Sequence, residues 1–339
     1  MTKDQINKLI SEGEFPEIRG QRELIETHIS WVIVCDQFVY KIKKPIQYSF
    51  LDFSTLTLRK HFCEREIELN RRLTDNIYLD VQPICEWRGG LIIGSKEGTI
   101  IDYAVRMYKL DKEKQMDILL LENKVTETDI RKLAEKIAFF HKNTDIIYKK
   151  NFLDVQEKFN DLGTEKEFLV EQLDMNCSNI ISHAIETSDT FIAKNKGLLA
   201  ARLKAGFFRD CHGDLHSRNI FLLPSPQPFD CIEFNDDFRQ IDVLNEVAFL
   251  CMDLDAFGRQ DLADLFVNYY NHFFPAMITD EDKSLFIYYK GYRANIRAKV
   301  NSLRARGTMD NGGKIKALSA ADKYLHLMDS YIKSPDLLQ

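Results

Sequence analysis

Asp214 and Asn219 stand five residues apart in the polar run Cys211-His212-Gly213-Asp214-Leu215-His216-Ser217-Arg218-Asn219. A carboxylate and a carboxamide at that spacing fit phosphoryl transfer. That reaction asks for a carboxylate beside the attacking hydroxyl, oxygen ligands for magnesium, and positive charge on the phosphates. On this reading Asp214 orients and deprotonates an acceptor hydroxyl, and Asn219 holds Mg²⁺. The apolar stretch Ile220-Phe221-Leu222-Leu223 anchors the run as a strand. Pro224-Ser225-Pro226-Gln227 turns the chain, and Phe229-Asp230-Cys231-Ile232-Glu233-Phe234 returns as the partner strand, where a second metal-binding carboxylate is expected. Two other readings compete. Asp and Asn also stabilise turns, but a plain turn explains neither the density of polar residues nor the flanking strands. His212, Asp214 and His216 alternate, so on a strand they would share one side and offer a zinc or iron site for a metallohydrolase. That reading leaves Asn219 and the following hairpin unused.

The elements that must position these residues follow from periodicity. A helix is expected at about 4–12. Short β-prone stretches follow at 24–27, 30–34 and 38–43. Residues 56–73 place apolar side chains among charges without Gly or Pro, which predicts a helix. Further strands are expected at 81–86, 90–94 and 99–108. Beyond Asp111 the texture becomes helical. In 126–143, Ile130, Leu133, Ala134, Ile137, Ala138 and His141 share a face. Helices are also expected at 151–162, 165–185, 188–204, 242–254, 259–274, 281–305 and 313–333. The organisation predicted is an N-terminal nucleotide-binding lobe over 1–108 and a C-terminal catalytic and substrate lobe over 109–339.

The 339 residues suit two lobes, and 45% apolar with 29% charged residues suits a globular protein. A net charge of −6 advertises no nucleic-acid partner. No apolar run is long enough for a membrane span, and the charged N-terminus is unlike a signal peptide, so a cytoplasmic protein is expected. Seven cysteines without a Cys-x-x-Cys pair predict buried, reduced thiols.

The polar run resembles the His-Gly-Asp-x-His-x-x-Asn loop of the aminoglycoside phosphotransferase and choline kinase superfamily. Two further stretches resemble a bacterial aminoglycoside-phosphotransferase-like group, often fused to a P-loop ATPase domain. They are Tyr40-Lys41-Ile42-Lys43-Lys44-Pro45 running on to Phe50-Leu51-Asp52-Phe53-Ser54-Thr55-Leu56, and Ile232-Glu233-Phe234-Asn235-Asp236 with Ile241-Asp242-Val243-Leu244. The resemblance spans about residues 24–306. It implies an α+β, protein-kinase-like bilobal fold: a five-stranded antiparallel sheet plus helix, then a mainly helical lobe. It also implies ATP and Mg²⁺ as cofactors. Lys41, in Phe38-Val39-Tyr40-Lys41, would contact the α- and β-phosphates, with Lys43 on the same face as the fallback. Glu66 would pair with that lysine. Asp230 would be the second metal ligand, with Glu233 assisting. The first turn, Glu26-Thr27-His28-Ile29-Ser30, lacks glycine, so Thr27 and Ser30 would meet a phosphate through hydroxyls or backbone. Adenine would lie against the connector near Met107–Leu110. His141 would be structural, and Asp242 or Glu246 would bond back to the catalytic loop.

The pattern departs from protein kinases. His216 stands where they carry Lys, and no Ala-Pro-Glu segment follows the metal-binding strand. Gly307 to Lys314 fails as a P-loop: the glycine spacing is too long and Ile315 replaces Ser or Thr. The ATPase domain of related chains is thus expected to be absent here, which leaves room for a separate P-loop ATPase partner. In 281–305, Lys290, Arg293, Arg297 and Arg304 recur at helical spacing. With Arg218 they suggest an anionic hydroxylated small molecule as acceptor, not an aminoglycoside; a solvated basic face is the competing reading. A nucleotide-binding regulatory module with little catalysis remains the alternative to an enzyme.

Overall fold

A computed structural model describes residues 1–16, 20–308 and 310–338. The chain divides into two compact units. One comprises Met1–Leu119 with Arg218–Phe238, the other Leu120–Ser217 with Arg239–Gln339.

In the first unit, helix α1 (Lys3–Glu12) begins at a capping box between Thr2 and Gln5. Strands β1 (Glu23–Glu26), β2 (Ser30–Val34) and β3 (Phe38–Lys43) follow as a meander. Helix α2 (Leu56–Asn70) starts where the Thr55 hydroxyl accepts the Leu58 N–H. Strands β4 (Tyr78–Trp87), β5 (Gly90–Ile93) and β6 (Thr99–Tyr108) complete an antiparallel sheet ordered β1-β2-β3-β6-β4-β5. The sheet has six strands, not the five that the family resemblance implies. The strand reading itself expects all six, including the edge strand at 90–94 that forms as β5. Arg88 (φ 50°) and Gly89 (φ 80°) both adopt left-handed backbone, which closes β4 onto β5 with a two-residue turn.

Side-chain alternation along β3 decides what the sheet does on each face. Tyr40 and Ile42 enter a core with Ile6, Leu9, Trp31, Ile33 and Ile84. Lys41 and Lys43 point to the other face, the one α2 covers. There Cys63 and Ile67 of α2 pack with Tyr78, Val105 and Met107. Later in the chain, Ile220–Phe221 pairs antiparallel with Gln227–Pro228. The partner strand expected over 229–234 does not form. Asp230 takes φ 64°, a conformation a strand cannot hold and one that Asp tolerates better than most residues.

The second unit is built from α3 (Glu127–Asn143), α4 (Asn176–Lys204), α5 (Val243–Ala256), α6 (Gln260–Phe273), α7 (Asp280–Gly307) and α8 (Asn311–Ile332). The buried face of α3 includes Ile130, Leu133, Ala134, Ile137, Ala138 and His141, the stripe its periodicity predicts. Two helices expected at 165–185 and 188–204 are instead a short helix, Lys166–Gln172, and the 29-residue α4. No Gly or Pro stands at 186–187 to interrupt it. Every residue from Val243 to Leu254 is buried, so α5 is the central helix, packed by α6 and α7. Among the described residues all seven cysteines are buried, and no helix is long and apolar enough to cross a membrane.

Candidate active site

The candidate residues fall into two groups, one in each unit. In the first unit, Glu66 lies between two lysines. Its Oε1 accepts from Lys41 Nζ and its Oε2 from Lys43 Nζ, each at 2.8 Å. Lys41 Nζ also meets Asp230 at 2.5 Å, and Lys43 Nζ meets Glu233. The result is a ladder of alternating charge, Asp230–Lys41–Glu66–Lys43–Glu233. Sequence explains its shape: Lys41 and Lys43 are two apart on a strand, so one carboxylate facing that strand can take both.

Burial makes the ladder electrostatically strong. The Lys43 and Glu66 side chains are 0% exposed, whereas Asp230 is 42% exposed. Burial alone would push the Lys41 ammonium down, but Asp230, Glu66 and Glu233 outweigh it and hold the value well above the ordinary lysine range. Lys43 behaves alike: burial opposes its charge, and Glu233 and Glu66 more than restore it. Burial likewise opposes the Glu66 carboxylate, and the two lysines pull it below the ordinary range. Burial pushes the Glu233 carboxyl up; Lys43 opposes this and the nearby Glu66 adds to it. Glu233 is therefore a buried partner of Lys43, while Asp230 is the ladder's solvent-reachable end. The Asp230 N–H donates to the Tyr78 hydroxyl at 3.1 Å, which fixes its left-handed turn.

Asn219 lies near Asp230 through the short ribbon. The Phe229 N–H donates to the Asn219 carbonyl at 2.9 Å, so the two residues flank the same end of it. At the β1–β2 turn, the Thr27 hydroxyl is occupied by the turn itself: it donates to the Ser30 carbonyl and accepts the Ser30 N–H. The Ser30 hydroxyl, opposite Lys43 in the sheet register, is buried with no hydrogen-bond partner among the described residues. A buried orphan hydroxyl beside a lysine ladder fits a phosphate oxygen. Met107 is packed in the core under α2, with Leu110 and Phe229 against it. Arg218 Nε sits 3.6 Å from Asp117, and its side chain is largely exposed.

In the second unit, α5 organises the loop at 211–217. Glu246 accepts the N–H groups of His212 (2.9 Å) and Gly213 (2.6 Å). Asp253 accepts both the N–H and the hydroxyl of Ser217. Glu246 and Asp253 are seven residues apart, two helical turns, so they grip the two ends of the loop from one face. Gly213 has φ 89°, which a side chain at that position would strain. Arg293 on α7 donates Nε to Asn245 and Nη1 to the Gly213 carbonyl (3.2 Å), bracing the loop from the other side. Of the two carboxylates expected to bond back to the loop, Glu246 does so. Asp242 caps α5 and pairs with Arg202. His141 links Glu246 (2.9 Å) to the Tyr270 hydroxyl (2.8 Å).

Asp214 projects from this loop with 37% of its side chain exposed, and His216 Nε2 stands 3.4 Å from its Oδ2. Partial burial raises the Asp214 carboxyl, but His216, Arg297 and His212 outweigh that and hold it well below the ordinary carboxylate range. Asp214 is thus ionised throughout the neutral range. Arg297, one turn beyond Arg293, stacks its guanidinium 5.4 Å from the Tyr324 ring centroid. The zinc-type trio does not gather: the His212 ring nitrogen Nδ1 accepts the Asp214 N–H at 3.2 Å. Among the described residues the group of three metal-type donors that does lie close together is His141, Cys211 and Glu246. There both histidine nitrogens already have protein partners.

Sequence reading missed Asn245 and Asp253. The signal was present: three polar residues, Asn245, Glu246 and Asp253, interrupt the otherwise apolar stretch Val243-Leu244…Val247-Ala248-Phe249-Leu250-Cys251-Met252. Buried polar groups need partners, and polar residues on a wholly buried helix announce what that helix holds.

Comparison with solved structures places this architecture. A choline kinase from Cryptosporidium parvum superposes with TM-score 0.57 at 11% identity, covering 95% of this chain and 93% of that one. The GDP complex of an aminoglycoside 2'-phosphotransferase-IIIa mutant gives 0.53 at 12% identity, covering 95% and 96%. A choline/ethanolamine kinase family protein from Mesorhizobium loti gives 0.52 at 9% identity, covering 100% and 97%. The chain therefore has the protein-kinase-like fold of the choline kinases and aminoglycoside phosphotransferases. In sequence it is similar to three curated uncharacterised mycobacterial proteins, one from Mycobacterium bovis and two from Mycobacterium tuberculosis strains. Each is 31% identical over 313 residues, covering 89% of this chain. The chain spans 58% of the length of these relatives. No family model matches the chain.

Proposed function

We propose that this chain is an ATP- and Mg²⁺-dependent phosphotransferase that moves the γ-phosphoryl group to a hydroxyl of a small molecule. The observation that carries this reading is the lysine–glutamate ladder of the first unit, whose solvent-reachable end is Asp230. A buried pair of lysines, each held charged by shared carboxylates, is a preformed seat for polyphosphate. Lys41 is the phosphate-binding residue, because its neighbour Asp230 can be drawn away to a cation. Lys43 is wholly buried and keeps Glu66 in place. Asn219 and Asp230 are the residues that would hold Mg²⁺, and both offer the oxygen ligands that ion prefers. Bound Mg²⁺ neutralises charge on the phosphates.

The proton transfer is assigned to the loop of the second unit. Asp214 stays ionised, accepts a hydrogen bond from the acceptor hydroxyl, and takes its proton as the new P–O bond forms and the bond to the leaving ADP oxygen breaks. Glu246, Asp253 and Arg293 fix the backbone from which it projects.

Nucleotide binding tests the reading. Calorimetry should detect Mg·ATP binding to the wild-type protein. Lys41→Met should weaken it about tenfold or more, the scale of a lost charge-assisted contact. Glu66 retains Lys43 as a partner in that variant, so the fold should survive. An affinity unchanged by Lys41→Met would sink the proposal.

A further inference from the structure

We infer that the acceptor carries an oxyanion, a phosphate or a carboxylate, and that Arg297 binds it. The inference rests on the phosphotransferase reading and adds the acceptor's chemical class. Arg293 and Arg297 lie four apart on α7, so both face the catalytic loop and α5. Their circumstances differ. Arg293 has protein acceptors: Asn245 through its carbonyl and side chain, and the Gly213 carbonyl. Arg297 is hydrogen-bonded to the Tyr324 side chain, but its Nε–H is buried with no hydrogen-bond acceptor among the described residues.

A guanidinium presents five N–H donors in a flat fork. A buried donor without an acceptor is costly, and its edge is shaped for a carboxylate or phosphate. Arg297 stacks 5.4 Å from the Tyr324 ring centroid, and the Tyr324 hydroxyl lies 3.4 Å from Asp253. Asp253 holds Ser217 of the loop, so Arg297 sits beside the segment that carries Asp214 and helps keep that carboxyl ionised. An acceptor whose hydroxyl reaches Asp214 brings its other end within range of Arg297. A cationic acceptor would meet repulsion there from Arg297 and Arg293 together.

The competing role is purely structural, with Arg297 bracing Asp214 and Asp253. Both carboxylates already have other partners. Asp253 accepts from Ser217 twice and lies 3.4 Å from the Tyr324 hydroxyl, and Asp214 has His216. A brace is redundant there, and it leaves the Nε–H unanswered.

The test uses the full chain with Mg²⁺ and the non-hydrolysable ATP analogue AMP-PNP at saturation. Matched probes are titrated by calorimetry: glycerol against glycerol 3-phosphate and glycerate, with ethanolamine as the cationic arm. One or both anions should bind at least about tenfold more tightly than glycerol and ethanolamine, and which one binds distinguishes phosphate from carboxylate. Arg297→Met should abolish that preference, while AMP-PNP affinity and melting temperature stay near wild type. Arg297→Lys, which keeps the charge but not the fork, should restore it partly. Anions that bind no better than glycerol, or a preference that survives Arg297→Met, overturn the inference and leave the phosphotransferase reading standing. Failure of AMP-PNP itself to bind overturns both.

Discussion

Asp214→Ala should lower turnover on the order of a thousandfold while leaving Mg·ATP affinity within about twofold of wild type. The separation of the two effects follows from where the residues sit. The lysine ladder that would bind phosphate belongs wholly to the first unit, whereas Asp214 projects from a loop of the second. The direction of its acidity shift refines the expectation. Burial raises the Asp214 carboxyl, but His216, Arg297 and His212 hold it well below the ordinary carboxylate range. A carboxylate so stabilised is a weak base early in the reaction. In the proposed reaction its main work would be to orient the hydroxyl, with the proton arriving late. Asp214→Asn, which orients but cannot accept the proton, should therefore retain more activity than Asp214→Ala. The rate should also show no loss attributable to Asp214 as pH falls from neutrality towards the ordinary carboxylate range. Steady-state kinetics of both variants, paired with nucleotide titrations, check these points. Loss of nucleotide affinity in parallel with turnover would place Asp214 in binding.

Glu66→Ala should be the most destabilising single change in the first unit's site. It strips the shared counter-charge from two buried ammonium groups, Lys41 and Lys43. Removing one partner of a buried ion pair costs about 3–5 kcal/mol. That corresponds to a melting temperature lower by on the order of 10 °C. Two controls identify the cause. Glu66→Ala combined with Lys43→Met should recover part of the loss, because the unpaired buried charge is gone. Acid should narrow the gap between wild type and Glu66→Ala. The Glu66 carboxyl is pulled below its unfolded value, so its stabilisation is complete above the ordinary carboxylate range and disappears as pH falls beneath it. A melting temperature that Glu66→Ala leaves unmoved would show that the ladder contributes no stability.

Much of the scaffold was legible in the chain. The stripe Ile130–Leu133–Ala134–Ile137–Ala138–His141 predicts α3, and alternation along Phe38–Lys43 puts both lysines on one face. Local signals stopped where tertiary context took over. Asp230 reads as strand from its apolar neighbours, yet Tyr78 holds its N–H in a left-handed turn. Nothing in sequence announces that hydroxyl, 152 residues away. The edge strand at 90–94 was legible, but the turn that closes it was not: Arg88 takes positive φ, which its residue type does not favour. Glu233 reads in sequence as a metal-type carboxylate beside Asp230; that it is buried and pairs with Lys43 was not legible there. The arginines of α7 look equivalent by spacing. Only their partners separate Arg293, committed to Gly213 and Asn245, from Arg297.

The most direct test of the central claim follows the γ-phosphoryl group itself. The purified protein is incubated with γ-labelled ATP, Mg²⁺ and a pool of small hydroxylated metabolites, and the products are separated. The account predicts label in a small organic acceptor, with Asp214→Ala giving little or none. Label found solely in inorganic phosphate, or transfer that Asp214→Ala performs as well as wild type, would contradict it.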